Sequence, residues 1–185
     1  MGKPKQIRPI DLVGAAKQQL VKKGQGKITL KNVAEAAGVT QGVVYYHFKT
    51  KDQLLISLLE DFFENDLKEL KKFKQEKRDK TPVETMEAYV SEESYKSQVF
   101  PEHQQVFYEL VSLAFHQKEM KALFGQAIHA KAGTISEMAA GSQATGRLIL
   151  AILQGLALQS LFDPTFNRKE TYELAKKWIS KLGTE

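Results

Sequence analysis

The chain has 185 residues, 42% of them apolar and 26% charged, with five prolines, a formal charge of +5 and no cysteine. That balance excludes a disordered or fibrous chain and predicts one or two compact domains with a sizeable core. The missing cysteines exclude disulfides, thiolate metal sites and a cysteine nucleophile, and they are compatible with a reducing compartment.

Residues 1–6 lead into no apolar run, so no secretory signal is expected, and Gln6 breaks the myristoylation pattern. Beyond them nearly every segment has a helical period and no strand-like alternation is sustained, which predicts an all-α fold. Leu12, Val13, Ala16 and Leu20 form the stripe of a first helix, with Pro9 suited to its opening turn and Gly24 to its end. Thr29 is placed to cap a short second helix carrying Val33, Ala34 and Ala37, which stops at Gly38; Thr40 then caps a third through Phe48. Thr50 and Gln53 have capping-box spacing. Behind them Leu54, Leu55, Leu58, Leu59, Phe62, Phe63, Leu67, Leu70 and Phe73 continue one apolar face. A fourth helix over 51–73 is therefore expected, about 34 Å long at 1.5 Å per residue.

Thr81 and Pro82 restart a helix, and Pro101 opens another whose Val106, Phe107, Leu110, Val111 and Ala114 share a face. Further helices are expected over 119–140, 144–162 and 168–182. The segment 148–162 is interrupted by Gln154, Gln159 and Ser160 and falls short of the roughly 20 residues of a spanning helix, so a soluble cytoplasmic protein without membrane partners is expected. Being apolar nearly all round, that helix should be buried on every side.

Charge is unevenly divided. Residues 1–51 carry ten Lys or Arg against Asp11 and Glu35, a formal +8, whereas the remainder is formally −3. A polyanion is drawn to the amino-terminal quarter, although a merely solvated basic surface has the same composition. The helices in that quarter add specificity. A helix-turn-helix places the second helix of its pair in the DNA major groove, and Gly38 supplies the tight turn. Thr40 leaves the positive helix end near a phosphate path. Gln41 can bond an adenine edge in a bidentate way, and Gly42 holds nothing away from the bases. Tyr45, Tyr46 and His47 offer donors to phosphate from the next turn, Val44 and Phe48 face the core, and Lys51 begins the following helix beside the backbone path. The seam between domains falls about residue 50, giving 1–50 and 51–185.

Within residues 12–54, Ala15-Ala16, Gly24, Thr29, Val33-Ala34, Ala37-Gly38-Val39-Thr40, Gly42, Tyr45, His47-Phe48 and Lys51-Asp52-Gln53-Leu54 together resemble the DNA-binding domain of the TetR family of bacterial transcription regulators. Gln25 stands where an aromatic residue commonly follows the glycine, and Ile28 replaces a frequent threonine. The resemblance implies that the third helix is the recognition helix. It implies base or near-base contacts from Thr40, Gln41 and Tyr46, and phosphate contacts from Thr29, Tyr45, His47 and Lys51. It also implies an all-α protein with an amino-terminal helix-turn-helix domain and a carboxyl-terminal ligand-binding and dimerisation domain. The activity implied is a homodimeric repressor, released from a palindromic operator by a small effector.

For the second domain the pattern leaves alternatives open. Met86, Tyr89, Phe107, Tyr108 and Phe115, with Gln154 to orient a polar group, either line a cavity for an apolar effector or belong to a plain core. Leu148, Leu150, Ile152, Leu156, Trp178 and Ile179 lie on two terminal helices that either pair with their copies in a twofold dimer or complete one protomer's core. His103, His116 and His129 share no helical face and no HExxH spacing occurs, so neither metal nor cofactor is expected. No nucleophile elbow or phosphate loop supports an enzyme. The competing functions are a nonspecific architectural DNA-binding protein and a small helical enzyme.

Overall fold

The computed structural model describes residues 7–182, and among them nine α-helices and one 3-10 turn carry the fold, with no strand. The readings made on residues 1–6 lie outside the described residues. The helices are α1 (Pro9–Lys23), α2 (Leu30–Ala37), α3 (Gln41–His47), α4 (Lys51–Glu76), α5 (Pro82–Val99), α6 (Pro101–Ala114), α7 (Lys118–Met138), α8 (Gln143–Phe162) and α9 (Arg168–Ile179). The all-α expectation is met. So are the starts at Pro9, Pro82 and Pro101, where proline's fixed φ suits the first turn and its missing N–H costs nothing. Thr81 closes a full capping box with Glu84, and Ser142 one with Thr145.

The helices gather into two compact units. One comprises residues 7–64 with Gln105–Leu123, and the other Asn65–Gln104 with residues 124–182, so the boundaries fall inside α4, α6 and α7. In the first unit the core is built from Leu12, Val13, Ala16, Leu20, Ile28, Val33, Val44, Leu54, Leu55, Leu58 and Leu59, all buried. The segment Gln105–Leu123 belongs to this unit: the Gln105 side-chain amide donates to the Val21 carbonyl at 3.1 Å, and that of Gln117 to the Asp52 carboxylate at 3.1 Å.

The second unit is centred on Leu70, Met86, Tyr89, Val90, Ile135, Met138, Ile149, Leu150, Leu153, Tyr172 and Ile179. The Tyr172 hydroxyl and the Ser97 hydroxyl pair at 3.2 Å, and the Arg168 guanidinium donates to Ser97 at 2.6 Å, which ties α5 to α9 through buried polar groups. A Cβ on Gly146 of α8 would stand 1.9 Å from the Ala132 carbonyl oxygen of α7, so these two helices cross closely over a glycine.

One expectation needs correcting. Helix α8 buries Gly146, Ile149, Leu150, Leu153 and Ala157, but Leu148, Leu158 and Phe162 are exposed along its other side. Burial on every side is therefore not reached within one protomer. Its 20 residues are also long and apolar enough to cross a membrane by length and composition alone, which the shorter segment 148–162 did not suggest.

Candidate nucleic-acid interface

The amino-terminal face is assembled by two caps and a turn. The Asn32 backbone N–H donates to the Thr29 hydroxyl at 3.1 Å, and the Asn32 amide donates to the Lys27 carbonyl at 2.7 Å, so both ends of the loop entering α2 are fixed. The helix ends at Gly38, whose φ of +66° lies in the left-handed region that side chains avoid. Its N–H turns back to the Ala34 and Glu35 carbonyls, while Val39 N–H reaches Ala34 at 3.0 Å. The chain is thereby reversed within two residues and delivers α3 at a fixed angle to α2.

Helix α3 separates cleanly into two sides. Val44 is buried, as is Phe48 just beyond the helix, and together they anchor α3 to the core of the unit. Gln41 and Gly42 are exposed, Tyr45 is 50% and Tyr46 76% exposed, and His47 is half-buried. Two adjacent aromatic side chains left in solvent are an uncommon use of apolar area and mark a contact face. Thr40 sits at the cap position with extended backbone, but its side chain makes no capping hydrogen bond, contrary to the expected cap; Val43 N–H bonds the Thr40 carbonyl instead. The exposed Thr40 hydroxyl thus stands beside Gln41 rather than being committed to the helix start.

The exit from α3 holds residues that the sequence pattern did not single out. The Lys49 ammonium donates to the Tyr45 and Tyr46 carbonyls at 3.0 and 3.3 Å and lies 5.9 Å from the Tyr46 ring centroid. It neutralises the negative end of α3 and braces the tyrosine against rotation. The Tyr46 and His47 rings meet edge-on at 5.0 Å. The Thr50 hydroxyl accepts from Gln53 N–H at 3.1 Å as expected, while the Gln53 side-chain oxygen Oε1 accepts from Lys49 N–H at 2.8 Å, one residue earlier than a capping box requires. Lys51, half-buried, opens α4 directly behind. The spacing rule for basic residues in a helix's last turn could have found Lys49; nothing in the sequence pointed to Gln105 or Gln117, whose partners are distant in the chain.

The other candidate residues are placed as follows. Met86 and Tyr89 are buried in the second unit's core, and Gln154 is half-buried in the same unit. Phe107 and Tyr108 are half-buried in the first unit, where Phe107 meets Phe62 at 6.3 Å between ring centroids, and Phe115 is 74% exposed. These six do not converge in one unit. Of the dimer candidates, Leu148 and Trp178 are exposed, Ile152 and Leu156 are half-buried against the core, and Leu150 and Ile179 are buried within it.

Residues 12–58 match the family model of bacterial regulatory proteins of the tetR family. Over 53 residues the chain is 40% identical to the HTH-type transcriptional regulator TtgR of Pseudomonas putida, a match that spans 29% of this chain and 25% of that relative. Among solved structures, a transcriptional regulator from Rhodococcus sp. Rha1 superposes with a TM-score of 0.77 at 21% identity, covering 95% of each chain. SmeT, the repressor of the Stenotrophomonas maltophilia multidrug efflux pump SmeDEF, superposes with a TM-score of 0.69 at 20% identity, covering 94% of this chain and 89% of its own. At these identities the structural likeness establishes the fold, and the family-model match covers residues 12–58, which include the face described above.

Proposed function

We propose that the chain, whose residues 12–58 match the family model of bacterial regulatory proteins of the tetR family, is a sequence-specific transcription regulator of the cytoplasm, a homodimer that represses from a palindromic operator. Residues 1–50 bind DNA and 51–185 carry effector binding and dimerisation. The observation that carries this reading is α3: Gln41, Gly42, Tyr45 and Tyr46 on its exposed side, Val44 and Phe48 holding the other, within a segment of formal charge +8. Thr40, Gln41 and Tyr46 meet base edges, and Thr29, Tyr45, His47 and Lys51 meet phosphates on either side. Lys49 acts through Tyr46 by holding its ring.

The dimer forms through the exposed stripes of α8 and α9. Leu148, Leu158 and Phe162 recur along one side of α8, and Leu174 and Trp178 lie one turn apart on α9, all at least 40% exposed. A four-helix contact made with the same surface of a second copy removes this apolar area from water and supports twofold symmetry. Leu150 and Ile179 contribute by shaping the protomer core beneath. Two recognition helices about 34 Å apart then read half-sites one helical turn apart. An effector in the carboxyl-terminal part releases the operator by favouring a placement of α4, which follows α3 directly, that sets the recognition helices at the wrong spacing; it acts only as far as it binds that state more tightly.

Selection from a pool of random duplexes tests the reading. A palindromic motif should be enriched and bound at least about a thousandfold more tightly than shuffled DNA at fixed salt. Lys51→Ala should weaken binding to all duplexes alike and reduce the salt slope by about one. Equal affinity for every duplex would favour an architectural protein instead.

A further inference from the structure

Helices α5 and α9 of the second unit leave a groove of about 470 Å³ between them. Three of its lining residues, Ser94, Arg168 and Tyr172, are joined in one polar network. The buried Ser97 hydroxyl donates to the Ser94 carbonyl at 3.0 Å and pairs with the buried Tyr172 hydroxyl at 3.2 Å. The Arg168 guanidinium donates through Nη1 to Ser97 at 2.6 Å and to the Ser94 carbonyl at 3.3 Å, with its centre 5.7 Å from the Tyr172 ring centroid.

This network fixes Arg168 but leaves most of its donors unused. Nη1 makes every hydrogen bond of the guanidinium among the described residues, so Nε and Nη2 donate to nothing there. That edge is the one able to hold a carboxylate or phosphate by two parallel bonds. No acid pairs with Arg168 among those residues either, although it is half-buried. A tie between α5 and α9 needs only Nη1; it does not account for a half-buried charge without a counter-charge, which is disfavoured.

The other charges of the groove point to the partner. Lys169 and Lys176 line it, and Glu173 is its one acid, bonded by the Lys176 ammonium at 2.7 Å. Three cations against one acid leave a formal +2, which a dianion matches and a single carboxylate does not. Val90 and the Tyr172 ring add an apolar wall, and the volume lies in the range of small-molecule sites. Along α9, Arg168, Tyr172 and Lys176 are four residues apart, and Leu174 and Trp178 are displaced from the latter two by two residues, about 200° around the helix. The groove therefore lies on the other side of α9 from the stripe proposed for the dimer and stays open when that stripe is covered.

We propose that this groove binds a phosphate monoester, a dianion on a small organic body. Arg168 Nε and Nη2 donate to two phosphate oxygens, the Lys169 and Lys176 ammonium groups offset the second charge, and the body lies along Val90. The site uses no residue assigned above to DNA, effector or dimer contact, so it stands independently of the regulator reading.

Titration calorimetry of the full chain without DNA, at pH 8 in a buffer free of phosphate, tests it with phenyl phosphate and benzoate. The ester, fully ionised there, should bind at least about tenfold more tightly than the carboxylate. Arg168→Lys, which keeps the charge and removes the fork, should weaken the ester about tenfold, and Lys169→Ala about threefold. Glu173→Gln should tighten it about threefold, a gain that a misfolded variant cannot imitate. Should Arg168→Lys melt early, the exposed Lys169→Ala and Glu173→Gln decide alone. No binding at millimolar concentration, binding no tighter than that of benzoate, or full affinity kept by both lysine-site variants, Arg168→Lys and Lys169→Ala, would overturn the proposal. So would loss of ester binding in Lys51→Ala, which would place the anion on the amino-terminal face.

Discussion

The two units use their polar residues in opposite ways. The first turns them outward: Gln41, Tyr45 and Tyr46 stand in solvent above Val44 and Phe48, and the charges around them are spread along the chain. The second turns them inward, with Asp66, Glu93 and Lys131 set among apolar stripes, where Lys131 meets Asp66 at 2.8 Å and Lys96 stands 4.0 Å from Glu93. An outward face is built to meet a partner of opposite charge whose shape is already fixed. An inward cluster whose opposite charges meet across helices ties those helices to one another.

The largest effect that sharpens this contrast is expected at a glycine. Gly146→Ala places a methyl group against the Ala132 carbonyl, which no rotamer relieves, and should cost about 3 kcal/mol of stability by chemical denaturation while the first unit's residues remain as they are. Next is the recognition face, where Gln41→Ala should lose about 2 kcal/mol of discrimination at one operator position and leave the melting temperature unchanged. Gly38→Ala is milder than Gly146→Ala for a physical reason: nothing lies within 4 Å of the added methyl, so only the left-handed backbone is penalised, about 1 kcal/mol.

The smallest effect is a matter of pH. The Glu93 carboxyl is raised in the fold by desolvation, so the native state holds that proton at pH values where the unfolded chain has lost it. Native stability therefore falls as pH rises from the ordinary glutamate range through Glu93's raised one. Asp66, lowered by Lys131 against its own burial, has the opposite sign and loses its contribution as pH falls below the ordinary aspartate range. Denaturation of Glu93→Gln should match wild type in acid and exceed it at neutral pH; a variant less stable than wild type at neutral pH would show that Glu93 is adequately paired.

The same contrast explains what was legible in the sequence. Helix starts at Pro9, Pro82 and Pro101, the cap at Thr29 and the turn at Gly38 are set by residues adjacent in the chain, and each could be read locally. So could the α3 face, because the buried Val44 and Phe48 fix which way Tyr45 and Tyr46 must point. The Asp66–Lys131 bond joins residues 65 apart, and its only local sign was a lysine between Ile128 and Ile135 at helical spacing. The side-chain ties from Gln105 and Gln117 to the first unit are equally distant in sequence. Helix α8 misled for a related reason, since composition reports apolarity and not whether one protomer or two supply the cover.

The central claim, that the exposed side of α3 reads duplex sequence, is tested most directly by competing the selected duplex against its shuffled version for wild type and Gln41→Ala at one fixed salt concentration. The account predicts a wild-type preference of at least about a thousandfold, cut by ten- to a hundredfold in the variant with affinity for shuffled DNA unchanged. Equal affinity of the wild-type protein for both duplexes, or a variant that keeps the full preference, would contradict it.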